Sequence, residues 1–160
     1  MVNHIGDKLV NPCAQVQKDL ADMLRSETWF KAHNVKVIEQ NSQDLAFLLK
    51  TRLDQLKGVS LVVGVDGIGN NYPAMDLKIT VTATERVTLN RASQGFATAL
   101  DAAVAAIYMF DLADYKGIQN VFHFIDLKHE AIREADVFRA TAFFGGMVHR
   151  DIITNEHEEA

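Results

Sequence analysis

Residues 61–73 read LVVGVDGIGNNYP. Three glycines, Gly64, Gly67 and Gly69, follow a short apolar run, and two kinds of fold compete for the pattern. A phosphate-cradling loop would join a strand to a helix and make the chain a nucleotide binder. A reverse turn would join two antiparallel strands. The dinucleotide loop needs G-x-G-x-x-G between a strand and a helix, because the helix N-terminus faces the pyrophosphate. Here the order is G-x-x-G-x-G, and the residues that follow, Asn70, Asn71, Tyr72 and Pro73, are turn formers. No G-K-[ST] ending makes it a Walker loop either. The segment is therefore read as a hairpin connection in which glycine supplies positive φ.

The next stretch supports that reading. In MDLKITVTATE, 75–85, Leu77, Ile79, Val81 and Ala83 alternate with Lys78, Thr80, Thr82 and Thr84, the pattern of a half-buried antiparallel strand. Before the glycines, VSLVV at 59–63 and VKVIE at 35–39 read as short strands. Between these two, Asn41 or Ser42 caps a helix whose face carries Leu45, Leu48, Leu49, Leu53 and Leu56 and which ends at Gly58. At the start, Asn11 and Pro12 suit an N-cap and first helical position. Cys13, Val16, Leu20, Met23 and Leu24 then mark one face of a helix over 12–26, with Trp29 and Phe30 in a connector.

After the alternating strand, TERVTLNRAS at 84–93 reads as a polar connection, with Asn90 or Ser93 capping a helix over 93–112. Phe96, Leu100, Val104, Ile107 and Tyr108 form its apolar face, and six alanines between 97 and 106 make it thin. NVFHFIDL, 120–127, is strand-like, and KHEAIREA, 128–135, suits either a short helix or a hairpin arm. DVFRATAFFGGMVHR, 136–150, reads as a strand broken or bulged at Gly145–Gly146. The order α-β-α-β-β-α-β-β predicts an α+β fold, a two-layer sandwich of a mostly antiparallel sheet with helices packed on one face. There is no internal repeat or linker, so one domain is expected over 1–150.

Charge and composition narrow the function. The 160 residues are 48% apolar and 23% charged, as in globular proteins. The longest apolar run, Ala102–Phe110, is too short to span a bilayer. No basic region followed by an apolar run opens the chain, so no secretory signal is expected. Cys13 is the single cysteine, which excludes an internal disulfide, and its place on the helical stripe makes it a packing residue. The net charge is −5, but residues 151–160 hold four acids and no Lys or Arg. Removing those four leaves 17 acids against 16 bases, a body with no electrostatic footprint for nucleic acid. The acidic end is read as a flexible tail.

No pattern specifies a reaction. His123, His129, Asp126 and Glu130 match no zinc spacing. Asp66 and Asp76 flank the hairpin and could bring two carboxylates together, as glycosidases do, but nucleophile-elbow, H-E-x-x-H and calcium-loop patterns are all missing from the sequence. No enzyme, metal or cofactor is expected. The one polar cluster that stands out is Glu85, Asn90 and Arg91. A cation at the start of the next helix would oppose its dipole, so Glu85 is expected to offset it, either as a cap and ion pair at the corner or as part of a subunit contact.

The strand LKITVTATE, the corner TERVTLNRA and the helix TALDAAVAAIYMF resemble a pattern in small proteins of tailed bacteriophages: an alternating strand ending in Glu, a spacer, Asn-Arg, then an alanine-rich helix. The chain is similar to tail terminator (tail completion) proteins, including Mu-like small tail proteins. The resemblance implies a structural virion protein of the tail or neck, assembled in the bacterial host cytoplasm. Such proteins form a hexameric ring that ends the tail tube, contacts the tube protein and docks on the head completion or connector protein, while DNA passes through without specific binding. It implies no membrane. In that role the expected contact residues are Asp66, Ile68, Asn70, Asn71 and Tyr72 of the hairpin and the acidic C-terminus. Glu85, Asn90 and Arg91 are placed at a corner near a subunit boundary. Another head–tail joining or adaptor protein is the alternative, and a small hydrolase a third reading.

Overall fold

A computed structural model describes residues 11–41, 57–67, 72–92 and 96–154. Helix α1, Pro12–Ser26, opens as expected: the Asn11 side chain accepts from the Ala14 amide at 3.3 Å and Pro12 takes the first helical position. Val16, Leu20 and Leu24 recur every fourth residue and are fully buried. Each such burial is worth roughly 1.5–3 kcal/mol. Trp29 and Phe30 lie in a second short helix, α2 (Thr28–Ala32), rather than in an irregular connector.

The strands are β1 (Val35–Glu39), β2 (Val59–Asp66), β3 (Ala74–Arg86), β4 (Phe122–Ile132) and β5 (Val137–His149). They form one sheet in the order β1-β2-β3-β5-β4. Only β1 and β2 run parallel, and the remaining neighbours are antiparallel. The helix predicted over Leu45–Leu56, whose length suits the crossover that a parallel pair needs, lies outside the described residues. β3 is central, and its alternation is as read: Met75, Leu77, Ile79, Val81 and Ala83 are buried on one face. On that face they join the buried stripe of α1 and helix α4 (Ala99–Phe110) in a single core.

Several sequence expectations change. Gly64 lies inside β2, and Gly67, with φ +119°, supplies the positive φ. A side chain on Gly67 would also meet the Asp76 carbonyl. β5 runs unbroken through Gly145 and Gly146, and the irregularity sits opposite, in β4 between Phe124 and Asp126. A Cβ on Gly146 would stand 2.9 Å from the Phe122 ring and 3.0 Å from the Val121 carbonyl, so glycine here provides room for the neighbouring strand rather than a bend. KHEAIREA resolves as the hairpin: β4 continues to Ile132 and a 3-10 turn, Arg133–Ala135, leads into β5. Residues 150–154, most of which composition placed in the acidic tail, form α5 (Arg150–Thr154), and Ile153 is fully buried.

The largest correction concerns α4. It starts at Ala99, not near 93, and Thr98 and Asp101 make a reciprocal capping box there; Ser93 lies outside the described residues. Its buried residues are Ala99, Ala102, Ala103, Ala106 and Phe110, whereas Leu100, Val104 and Tyr108 point outward. Every position of the helix except Asp101 is apolar, so periodicity alone allows either face. The sheet decides: Ala83, Ala140 and Ala142 lie beneath, and small side chains on both layers let the backbones approach. Toward its end Phe110 meets Phe144 edge to face at 5.5 Å.

The connection after β3 is a short helix, α3 (Val87–Arg91), capped from a distant turn. Asp136, at φ 56° between β4 and β5, accepts from the Val87 amide through its carbonyl at 2.9 Å. Its carboxylate accepts from the Thr88 amide at 3.2 Å and from the Thr88 hydroxyl, with Arg86 Nε 3.6 Å away. The Thr88 hydroxyl, above all, holds this carboxyl below its ordinary value of 3.8. A depressed folded value stabilises the fold above the unfolded value, and that stability is lost as pH falls through the folded value. Asp136→Asn keeps the left-handed geometry and removes the charge. It is expected to lower the melting temperature at neutral pH, and the gap to wild type should narrow as pH falls below 3.8. Thermal melts followed by circular dichroism at a series of pH values check both.

Candidate assembly surfaces

The Glu85–Asn90–Arg91 cluster forms at the corner where β3 passes into α3. Glu85 lies on the helix-facing side of β3, opposite Val59 of β2 and Phe138 of β5, with its side chain wholly buried. Its carboxylate accepts from Asn90 Nδ2 at 2.5 Å through one oxygen and from the Arg91 guanidinium at 3.2 Å through the other. Asn90, also buried, donates a second bond from Nδ2 to the Ala97 carbonyl at 2.8 Å, tying the corner to the start of α4. Arg91 closes α3 instead of opening the next helix, so its charge meets the favourable end of the short helix. Its side chain is 54% exposed, so the buried carboxylate connects through it to the surface.

A second surface gathers where β3 begins and β5 ends. Asp66 is exposed at the end of β2, and Lys78 stands directly across from it on β3. Tyr72 is 49% exposed, accepts a hydrogen bond from Arg150, and carries that guanidinium 5.2 Å above its ring. The Arg150 amide in turn donates to the Pro73 carbonyl at 2.9 Å, so α5 braces the hairpin base. Ile68, Asn70 and Asn71 lie outside the described residues. Nearby, Cys13 Sγ is 3.6 Å from the Gly67 carbonyl. Burial first, and then the Asp66 charge, push the Cys13 thiol up, away from a reactive thiolate.

The third surface was missed by the sequence reading, which turned these side chains inward. Leu100, Val104 and Tyr108 follow one another at every fourth residue along the outer side of α4, with Tyr108 84% exposed, and Leu112, just past the helix end, is 60% exposed. Trp29, His33 and Phe96 form the other wall of a shallow groove, in which, among the described residues, Asp101 is the one acidic or basic (Lys or Arg) side chain. His33 is fixed there by stacking on Trp29 at 4.5 Å and by a 2.8 Å bond from Nδ1 to the Trp29 carbonyl. A continuous apolar row of this kind on a water-facing helix suits contact with protein. The capping box, which shifts the helix start past residue 93, was the available clue.

The two histidines considered for a metal site are not brought together. The irregularity at Phe124–Asp126 reverses the alternation of β4, so His123, opposite Gly145, and His129, opposite Ala140, lie on different faces of the sheet. Among the described residues no group of three His, Cys, Asp or Glu side chains is placed to hold a metal ion. Among them, too, no helix is long and apolar enough to cross a membrane.

Comparison with known proteins gives a likeness of fold. No family model matches the chain, and no curated protein matches it. Among solved structures, a chain described as "Virion of native gene transfer agent (GTA) particle" has a similar fold, with a TM-score of 0.53 and 17% sequence identity. The superposition covers 85% of this chain and 94% of that one. At this identity the likeness is one of fold.

The corner distinguishes its members by burial. Asn90→Ala removes a buried donor from the Glu85 carboxylate and should cost about 1–3 kcal/mol. Arg91→Ala removes a half-exposed partner and should cost about 1 kcal/mol or less. Urea denaturation of the two variants measures the ranking.

Proposed function

We propose that this chain is a structural virion protein of a tailed bacteriophage that forms a ring, terminates the tail tube and joins it to the head or neck. The observation that carries the proposal is the shared fold with a virion chain over nearly the full length of that chain. The strand–corner–helix pattern with Glu85, Asn90 and Arg91 points the same way. Its mechanism is geometric: a closed ring offers one face to the last ring of tube protein and the other to the connector, and closure leaves no site for further growth. Hexameric closure and passage of DNA through the ring belong to this reading.

The three surfaces take natural places in such a ring. The apolar row of α4 suits a contact between neighbouring subunits, because large side chains directed outward gain most from being covered. The Asp66–Tyr72 end and the acidic C-terminus suit the faces that meet tube or connector, where charge sets orientation. Arg91, anchored on Glu85, stands at a subunit boundary. A head–tail adaptor is the second reading, favoured by the same fold likeness, and the two differ in what their absence produces.

Particles assembled without the protein are expected to carry tails of abnormal length together with loose, full heads, visible in negative-stain images. Tails of normal length would refute the terminator role, and tailless, leaking heads would favour the adaptor. Tyr108→Ser is expected to change the unfolding free energy by no more than about 0.5 kcal/mol, measured by urea denaturation. It should nevertheless reduce ring formation at the ends of purified tubes.

A further inference from the structure

The free side of β4 is treated differently along its length. At its start the edge is already occupied: the Phe122 carbonyl accepts from the Leu112 amide at 2.7 Å, and the Phe124 amide donates to Asp111 at 2.9 Å. Past the irregularity, the Leu127 amide turns away from β5 to the Asp126 carboxylate at 2.8 Å. Backbone groups in an antiparallel strand alternate between partner and free side, so His129 and Ala131 also direct theirs outward. Residues 128–131 are all exposed. An edge of this kind is a template for another strand, and the charges along it select which strand.

We propose that two copies of this chain pair antiparallel through β4 about a two-fold axis at His129. In that register Lys128 faces Glu130 of the second copy, Glu130 faces its Lys128, and Leu127 faces its Ala131. The amides and carbonyls of the two His129 residues meet one another, the Leu127 carbonyl meets the Ala131 amide of the second copy, and the Leu127 amide exchanges its own Asp126 carboxylate for the Ala131 carbonyl, while both charge pairs fall at the non-hydrogen-bonded positions, where side chains approach closest. Neighbouring registers fail. Centring on Lys128 opposes lysine to lysine and Asp126 to Glu130. Centring on Glu130 opposes glutamate to glutamate. Centring on Leu127 runs into the irregularity and the edge already held by Asp111. An offset of half a residue sets outward groups against inward ones. Both charged side chains are held in position on the same face before pairing: Glu130 bonds to Arg139 at 3.3 Å, and Lys128 lies 5.5 Å over the Phe143 ring.

This pairing goes beyond the ring reading. A two-fold pair cannot extend into a ring whose faces meet different partners, so it is a stored form that covers the strand edge until assembly begins.

Sedimentation equilibrium of the purified full chain tests the proposal, with circular dichroism melts verifying that each variant folds. Wild type is expected to dimerise. Lys128→Glu and Glu130→Lys should each weaken the dimer by about tenfold or more, since two attractive pairs become repulsive. An equal mixture of the two single variants should recover association, because each charge again meets its opposite, and the double variant K128E/E130K should dimerise as wild type does. A monomeric wild type, a Lys128→Glu protein that dimerises normally, or a mixture that stays monomeric would overturn the pairing. A species of six subunits insensitive to Lys128→Glu would also overturn it, yet would favour the ring.

Discussion

The contact between alanines of α4 and alanines of the sheet sets the dimensions of this molecule. Ala99, Ala102, Ala103 and Ala106 lie over a surface to which β3 and β5 contribute Ala83, Ala140 and Ala142. Dense packing of small groups on both layers brings helix and sheet backbones close. Leu100, Val104 and Tyr108 of α4 lie on its other side. The exposed row Leu100–Val104–Tyr108 is thus the reverse of the packed face, and a surface suited to protein contact arises without any departure from ordinary packing. At the end of the helix Phe110 packs edge to face on Phe144, and Phe122 is buried in the same core.

Around this core, polar groups define where elements turn. Glu85 is a fully buried carboxylate, which costs solvation unless it is paired and hydrogen-bonded. Asn90 and Arg91 supply those partners, and Asn90 extends the network to Ala97. The same corner is held from the opposite side by Asp136. A strand end, a short helix and the start of α4 are thus fixed by a few specific bonds. The direction of the α4 row relative to the sheet depends on them.

The fold was largely legible from the sequence because β3 carries a clean period of two and α1 a clean period of four. The strand at 35–39 and the helix at 12–26 match residue for residue. Failures came where local pattern was ambiguous and a tertiary partner decided. The face of α4 could not be read because nearly every residue in it is apolar. The glycines at 145 and 146 suggested a bend, yet what they leave room for is the adjacent strand, the His123 and Ile125 side chains beside Gly145 and the Phe122 ring beside Gly146. The corner cluster was legible as a group, since Glu85, Asn90 and Arg91 are close in sequence. Asp136, 48 residues from Thr88, was not, because no local signal links a hairpin turn to a distant helix end.

That link has a consequence for how the chain becomes ordered. The first turn of α3 leaves the amides of Val87 and Thr88 for Asp136, which does not reach them until β4 and β5 have folded back along β3. Closing so long a loop is slow compared with winding a local helix. The amides at the start of α3 thus gain their partner only through a long-range contact, whereas Glu85 finds Asn90 and Arg91 within six residues of itself.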